Sequence, residues 1–220
     1  MNRRQAIQRV AMIIGGSVIG ANLFLEGCTR PSSKDIAILF EQTNVDLLNE
    51  LAEAVLPRTS TPGAKDANVG AFIPIMIRDC YTSVDQKSFL EGLSKVDEIS
   101  QKAFNKKFAV LTQEERLQFV NTLDKEAKDY QKEKREKEKA REQDSRANQN
   151  ENSTNKQNQS ANKVNDLDEL PNHFFTMLKQ LTLIGFFTSE VGMTQALRYV
   201  KIPGKFDGDY PYQKGDRAFA

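Results

Sequence analysis

Residues 45–57 show the helical character of the chain clearly: Val45-Asp46-Leu47-Leu48-Asn49-Glu50-Leu51-Ala52-Glu53-Ala54-Val55-Leu56-Pro57. Apolar side chains recur in this stretch at the spacing of one helix face, at Val45, Leu48, Leu51, Ala52 and Val55. Pro57 ends the helix because its ring lacks an N–H and clashes with the preceding turn. A turn-rich loop follows at residues 57–64, Pro-Arg-Thr-Ser-Thr-Pro-Gly-Ala. The stretch therefore predicts an amphipathic helix with one buried face, followed by a loop.

The same helical spacing runs through a first block, residues 35–123. Apolar residues recur in this way from Val69 to Cys80 and from Phe89 to Phe104, with Ser83 as a candidate cap between them. Residues 112–115, Thr-Gln-Glu-Glu, have the spacing of a capping box and introduce a helix that bears Leu117, Val120 and Leu123. No segment alternates apolar and polar residues with the period of two that strands show.

A second block, residues 166–220, is also helical. Its first helix carries Phe174, Phe175, Leu178 and Leu181, and a break at Gly185 is predicted to end it. A second helix, with Thr188 or Ser189 as cap, carries Met193, Ala196, Leu197 and Val200. The sequence thus predicts an all-α fold: a small, irregular domain of about five or six helices in which both blocks pack together, with an extended aromatic C-terminal tail.

A polar tract, residues 124–165, separates the blocks. Lys125–Arg141 alternates charge in a way that extends the preceding helix through i,i+4 pairs. The remainder is polar and has almost no apolar residue to bury, which predicts a disordered linker.

The first 28 residues are predicted to be an export signal. Arg3 and Arg4 precede a short apolar stretch, which is typical of the twin-arginine route, with the general secretory route as the alternative. Leu25-Glu26-Gly27-Cys28 resembles a lipobox, at which Cys28 would receive a lipid. Cys80 would then be a small buried side chain, whereas an unlipidated Cys28 could form a disulfide with Cys80. A periplasmic, membrane-associated protein is expected.

The composition excludes several chemistries. Charge is balanced, with 31 basic and 30 acidic residues, so no strong positive field favours nucleic acid. The chain has no Gly-x-Gly-x-x-Gly after a strand and no Cys-x-x-Cys-His for haem. Its single histidine, His173, is predicted to be structural, and Asp207 and Asp209 are predicted to form a turn rather than a calcium site. We therefore expect no catalytic, cofactor-binding or metal-binding residue in this chain.

A family resemblance joins these pieces. Residues 51–57 with Thr61-Pro62-Gly63-Ala64, then residues 181–192 and Pro203-Gly204-Lys205-Phe206-Asp207-Gly208, resemble the gluconate 2-dehydrogenase subunit 3 family. The resemblance covers both blocks and leaves out the polar tract. It implies the small subunit of a periplasmic sugar or alcohol dehydrogenase complex, in which a large flavoprotein of the glucose-methanol-choline (GMC) type carries the FAD and a cytochrome c can accept electrons.

The resemblance implies a chain that binds, matures, exports and anchors the flavoprotein without catalysing. Expected contacts lie in the 57–64 loop, the 186–192 turn and the tail, at Pro62, Gly63, Phe187, Glu190, Phe206, Tyr210 and Tyr212. Tyr and Phe suit such contacts because they bury a large area with few rotatable bonds. The alternative is a free-standing exported lipoprotein that binds a ligand or the envelope.

Overall fold

The computed structural model describes residues 34–151, 170–202, 204 and 208–219. These residues contain no strand, which confirms the predicted all-α fold. The α-helices are α1 (Gln42–Val55), α2 (Val69–Cys80), α3 (Ser83–Ser94), α4 (Val96–Phe104), α5 (Gln113–Glu151) and α6 (Phe174–Phe187). Short 3-10 helices form at Lys34–Phe40, Ala64–Ala67 and Phe108–Val110, and a π-helical turn forms at Gly192–Ala196.

Helix α6 forms the centre of the core. It packs against α1, α2, α3 and α5, all of which come from the first block. Its buried residues cover about half of its circumference: Phe174, Phe175, Met177, Leu178, Leu181, Thr182, Gly185 and Phe186. A helix that is apolar on most sides is stable only inside other helices. The second block therefore supplies the element around which the first block folds.

The predicted break at Gly185 is wrong, because α6 continues to Phe187. Gly185 is buried, and a Cβ there would lie 2.7 Å from the ring of Phe72 in α2. The glycine permits close helix packing and does not end the helix. The helix predicted beyond it is only the π-helical turn, which ends before Leu197, and Val200 is exposed.

Of two predicted helix caps, the one at Thr112 is confirmed and the one at Ser83 is wrong. Thr112 and Glu115 form the predicted capping box, since each accepts a hydrogen bond from the other's backbone N–H, at 2.9 and 3.3 Å. Ser83 is not a cap: α3 begins at this residue, and the Thr82 hydroxyl accepts from the N–H of Asp85 at 3.2 Å.

Two apolar predictions also need correction. Cys80 is exposed rather than buried, because α2 emerges from the core in its last turn. Leu117 is 55% exposed, and Phe119 is buried in α5 beside Val120 and Leu123. The apolar face of α5 is thus rotated slightly from the predicted one.

Helix α5 runs for 39 residues, far beyond the first block. At 1.5 Å per residue it is about 58 Å long. The predicted helical extension over Lys125–Arg141 is present and continues to Glu151. Ala127 and Lys134 are buried in it, so the start of the extension packs against the domain.

A cluster of four polar contacts, here called the polar latch, fixes the entry into α6. The Asp85 carboxylate accepts from the Asn172 backbone N–H at 2.7 Å and from its side-chain amide at 3.1 Å. Lys134 donates to the Asn172 amide oxygen at 3.0 Å, and the Tyr130 hydroxyl donates to the Pro171 carbonyl at 2.8 Å. Asp85 and Lys134 are each only 7% exposed. Buried polar groups of this kind are stable because each finds a partner.

His173 has the structural role predicted for it, as the N-cap of α6. Its Nδ1 accepts a hydrogen bond from the Phe175 N–H at 3.2 Å, and its ring lies 5.5 Å from that of Tyr130. Burial lowers the pKa of the imidazole, and the Glu126 carboxylate acts in the opposite direction. The neutral ring is required, because a protonated Nδ1 cannot accept.

Candidate functional site

The loop at residues 57–63 is held from one side by Glu53 of α1. The Glu53 carboxylate accepts a hydrogen bond from the Arg58 N–H at 2.8 Å and another from the Lys65 N–H at 2.9 Å. Hydrogen bonds to a charged group contribute roughly 1.5–3 kcal/mol each. A single carboxylate on a packed helix thus fixes both ends of the loop.

The Asp66 carboxylate closes the loop from the other side. It accepts from the Gly63 N–H at 2.8 Å and forms an ion pair with the guanidinium of Arg58. Gly63 is buried, and a Cβ there would lie 2.4 and 2.5 Å from the two carboxylate oxygens of Glu53. Gly63 therefore shapes the loop from within, whereas Pro62 is half-buried and the residues at the tip are exposed: Arg58, Thr59 and Ser60.

Glu50, on the same helix as Glu53, connects the loop to α5. Its carboxylate pairs with the Lys65 ammonium at 2.6 Å and with the guanidinium of Arg116. Burial raises the pKa of the Glu50 carboxyl, but the hydrogen bonds from Lys65 and Arg116 together outweigh burial and hold this pKa below its usual value. Glu50 therefore remains ionised at neutral pH and keeps both cations in place.

The turn from Phe186 to Gly192 depends on one hydroxyl and one glycine. The Ser189 hydroxyl donates to the Phe186 carbonyl at 2.6 Å and accepts from the Gly192 N–H at 3.0 Å, so this side chain joins the two ends of the turn. A Cβ on Gly192 would lie 2.0 Å from the Phe186 carbonyl oxygen. Only glycine allows this close approach of backbone to backbone. The turn exposes Phe187 and Glu190.

The loop and the turn lie at the same end of the domain. The 3-10 helix Ala64–Ala67, which follows the loop, packs against α6. Gly185, two residues before Phe187, faces the start of α2, where its Cβ would meet Phe72 at 2.7 Å and Val69 at 3.3 Å. The structure thus brings together two segments that are more than one hundred residues apart in the sequence.

An exposed apolar surface, here called the α6 ridge, lies beside the turn. Its residues are spaced to share one face of the helix: Leu183, Ile184 and Phe187, which are 38%, 48% and 38% exposed. The sequence predicts only Phe187 as a contact. Leu183 and Ile184 could have been found from the composition of α6, because it carries more apolar residues than its buried side requires.

The C-terminal tail folds back on Arg198. The backbone N–H of Arg198 donates to the Ala218 carbonyl at 2.8 Å. Its guanidinium lies 4.9 Å from the centre of the Phe219 ring and 5.8 Å from that of Tyr210, and it pairs with Asp216 at 3.7 Å. We call Arg198, Tyr210, Asp216 and Phe219 the tail cluster, and within it Tyr210 remains half-exposed.

Several predicted site residues lie outside the described part of the chain. They are Arg3, Arg4 and Cys28 in the predicted signal, and Phe206 in the tail. Where the structure is described, none of the helices has the length and apolar character that crossing a bilayer requires. The described residues also hold no group of three or more acidic, His or Cys side chains arranged to bind a metal ion.

Comparison with known proteins adds one finding. The family model described as gluconate 2-dehydrogenase subunit 3 matches residues 42–204. The matched span contains the loop, the α6 ridge and the turn, and it ends before residues 208–219 of the tail. No curated protein and no solved structure shows significant similarity to the chain.

Proposed function

Because the chain belongs to the gluconate 2-dehydrogenase subunit 3 family, and is thus an accessory subunit of a dehydrogenase complex, we propose that it binds and helps to mature a periplasmic flavoprotein. In this proposal the flavoprotein is an FAD-dependent dehydrogenase of the GMC type that oxidises a sugar, a sugar acid or an alcohol. The FAD and the catalytic residues belong to the flavoprotein, and a cytochrome c subunit accepts the electrons.

We assign the contact to the surface formed by the 57–63 loop, the α6 ridge and the 186–192 turn. The ridge supplies apolar side chains that a partner can bury, while the loop adds the half-buried Pro62 and the turn adds the exposed Glu190. The loop is fixed by two carboxylates before any partner arrives. A surface that is already ordered loses little conformational entropy on binding, so more of the contact energy appears as affinity.

Export and anchoring are the second part of the proposal. Arg3 and Arg4 would direct the chain to a route that carries folded proteins, and a flavoprotein bound to it would be carried with it. Lipid on Cys28 would then hold the pair at the membrane. The observation that supports this part is the order of these residues at the start of the chain.

The contact is tested by capturing the tagged full chain from native membranes and measuring the flavin recovered with it. The variant carries Ile184→Ser and Phe187→Ser on the α6 ridge. The control carries Ile38→Ser and Phe40→Ser, the same residue types with nearly the same exposure, 48% and 40%. The control residues lie at the other end of α2 from the ridge. Phe40 lies under the guanidinium of Arg78 in the last turn of α2, whereas the α6 ridge lies near the first turn of α2.

We expect the ridge variant to recover about tenfold less flavin than wild type, because apolar anchors dominate binding energy at interfaces. The control should recover the wild-type amount. Deleting the gene for this chain should also remove flavin-dehydrogenase activity from the envelope. Recovery of the chain without any flavoprotein, with activity unaffected by the deletion, would disprove the accessory role and favour the free-standing lipoprotein.

A further inference from the structure

The C-terminal segment from Tyr199 onward, here called the tail, carries the two most exposed large apolar side chains among the described residues. Ile202 is 80% exposed and Tyr212 is 74% exposed. Tyr199 and Val200 add a further exposed pair, at 49% and 41%. Side chains of this size are seldom left in water at such density unless they meet another surface. The tail cluster around Arg198 orders this segment without covering them.

The same part of the chain carries three exposed cations and one exposed carboxylate, that of Asp209. Lys201, Lys214 and Arg217 are exposed, and none of them forms an ion pair within the described residues. The carboxylate of Asp216 lies nearby but is already paired with Arg198. The cations therefore remain available to an external anion.

We propose that this tail surface binds anionic lipid headgroups, with Ile202 and Tyr212 entering the interface. Tyrosine is enriched at the boundary of membranes because its ring is apolar and its hydroxyl is polar. Cations are attracted to the surface of an anionic bilayer, whereas lysine is depleted in protein–protein interfaces. The combination of exposed lysine, tyrosine and isoleucine thus favours lipid over a protein partner.

The sequence predicts Tyr210 and Tyr212 as flavoprotein contacts, and the proposal assigns their surface to a different partner. Part of this surface, at Tyr212, Lys214 and Arg217, lies beyond residue 204, where the family match ends. The tail would add a second attachment to the one proposed at Cys28, and it would orient the domain on the membrane. The inference concerns lipid alone and does not depend on the identity of the flavoprotein.

The chain contains no tryptophan, so one introduced tryptophan reports on its own position. The test uses the full chain with Tyr212→Trp, and the control is Val110→Trp, at a residue that is 66% exposed on the 3-10 helix Phe108–Val110. Each protein is mixed with vesicles of phosphatidylcholine alone, or of phosphatidylcholine and phosphatidylglycerol in equal amounts. Emission wavelength and quenching by brominated lipid are measured.

The tryptophan at position 212 should shift to shorter wavelength and be quenched with the phosphatidylglycerol vesicles. The tryptophan at position 110 should not respond. Adding Lys201→Ser, Lys214→Ser and Arg217→Ser should reduce apparent vesicle affinity about tenfold or more, since each lost cation weakens the attraction. Equal responses at positions 212 and 110, or a response at 212 only when the flavoprotein is added, would overturn the proposal. A response that requires the flavoprotein would identify the tail as part of the flavoprotein contact. The result of the flavin-capture experiment on the α6 ridge would not change.

Discussion

Replacing Gly192 with alanine tests the turn beside the α6 ridge most directly. The added Cβ would lie 2.0 Å from the Phe186 carbonyl oxygen, 2.8 Å from the carbonyl carbon and 3.2 Å from the Phe187 Cα. All three atoms belong to the backbone, so no side-chain rotation can relieve the contact. The end of α6 and the π-helical turn must therefore move apart by about 1.5 Å to restore van der Waals contact.

The cost follows from this geometry. Overpacking of this kind destabilises a protein by about 1–3 kcal/mol, and displaced backbone belongs to the upper part of that range. Replacing glycine by alanine also removes freedom from the unfolded chain, which returns only about 0.4–1 kcal/mol. We expect a net loss of about 2 kcal/mol in the free energy of unfolding, which lowers the Tm of a chain of this size by about 4–8 °C.

The assay is thermal and urea unfolding followed by far-UV circular dichroism, with hydrogen exchange at the Leu197 amide. This amide donates to the Gly192 carbonyl at 3.0 Å and reports whether the turn opens locally. Gln195→Ala is the control, because Gln195 is an exposed residue of the same turn. Unchanged unfolding together with unchanged exchange at Leu197 in the Gly192 variant would refute the argument that backbone contact requires glycine there.

Two further predictions concern the entry to α6. The free energy of unfolding should fall as the pH drops from about 6.5 through the lowered pKa of His173, because the unfolded imidazole, with an ordinary pKa of 6.5, takes up the proton first. His173→Asn still accepts from the Phe175 N–H and should lessen this loss in urea titrations at successive pH values. An unaltered pH profile in this variant would contradict the role assigned to His173. Asp85→Ala should cost about 1–3 kcal/mol by urea unfolding, since it leaves the part-buried Asn172 N–H unpaired, while the exposed Asp129→Ala should change little.

The helices could be predicted from the sequence wherever one face is buried, because burial leaves a periodic pattern in the residue types. Leu48, Leu51 and Ala52 follow this rule and are fully buried. The pattern fails at Gly185, because a glycine that ends a helix and one that admits a neighbouring ring look alike in sequence. The difference lies in Phe72, more than one hundred residues away in the sequence.

The candidate site was predictable in its segments and less so in its side chains. The loop and the turn carry proline, glycine and serine at positions that only a few backbone geometries tolerate, so their presence could be inferred. The exposure of individual side chains could not be inferred, because apolar residues occur on nearly every side of α6. Only the packing of neighbouring helices determines that Ile184 faces solvent while Leu181 is buried. The polar latch was also invisible, since Asp85 and Asn172 are 87 residues apart.

The central position of α6 has a consequence for the order in which the protein is made. The helix that fills the core follows α1 to α5 in the sequence, so a ribosome has synthesised all five before α6 appears. Until then the apolar faces of the earlier helices have no partner to cover them, and the first block cannot complete its core. The first block therefore cannot fold completely until α6 has been made. A chain that stops before Phe174 would lack the centre of its own structure.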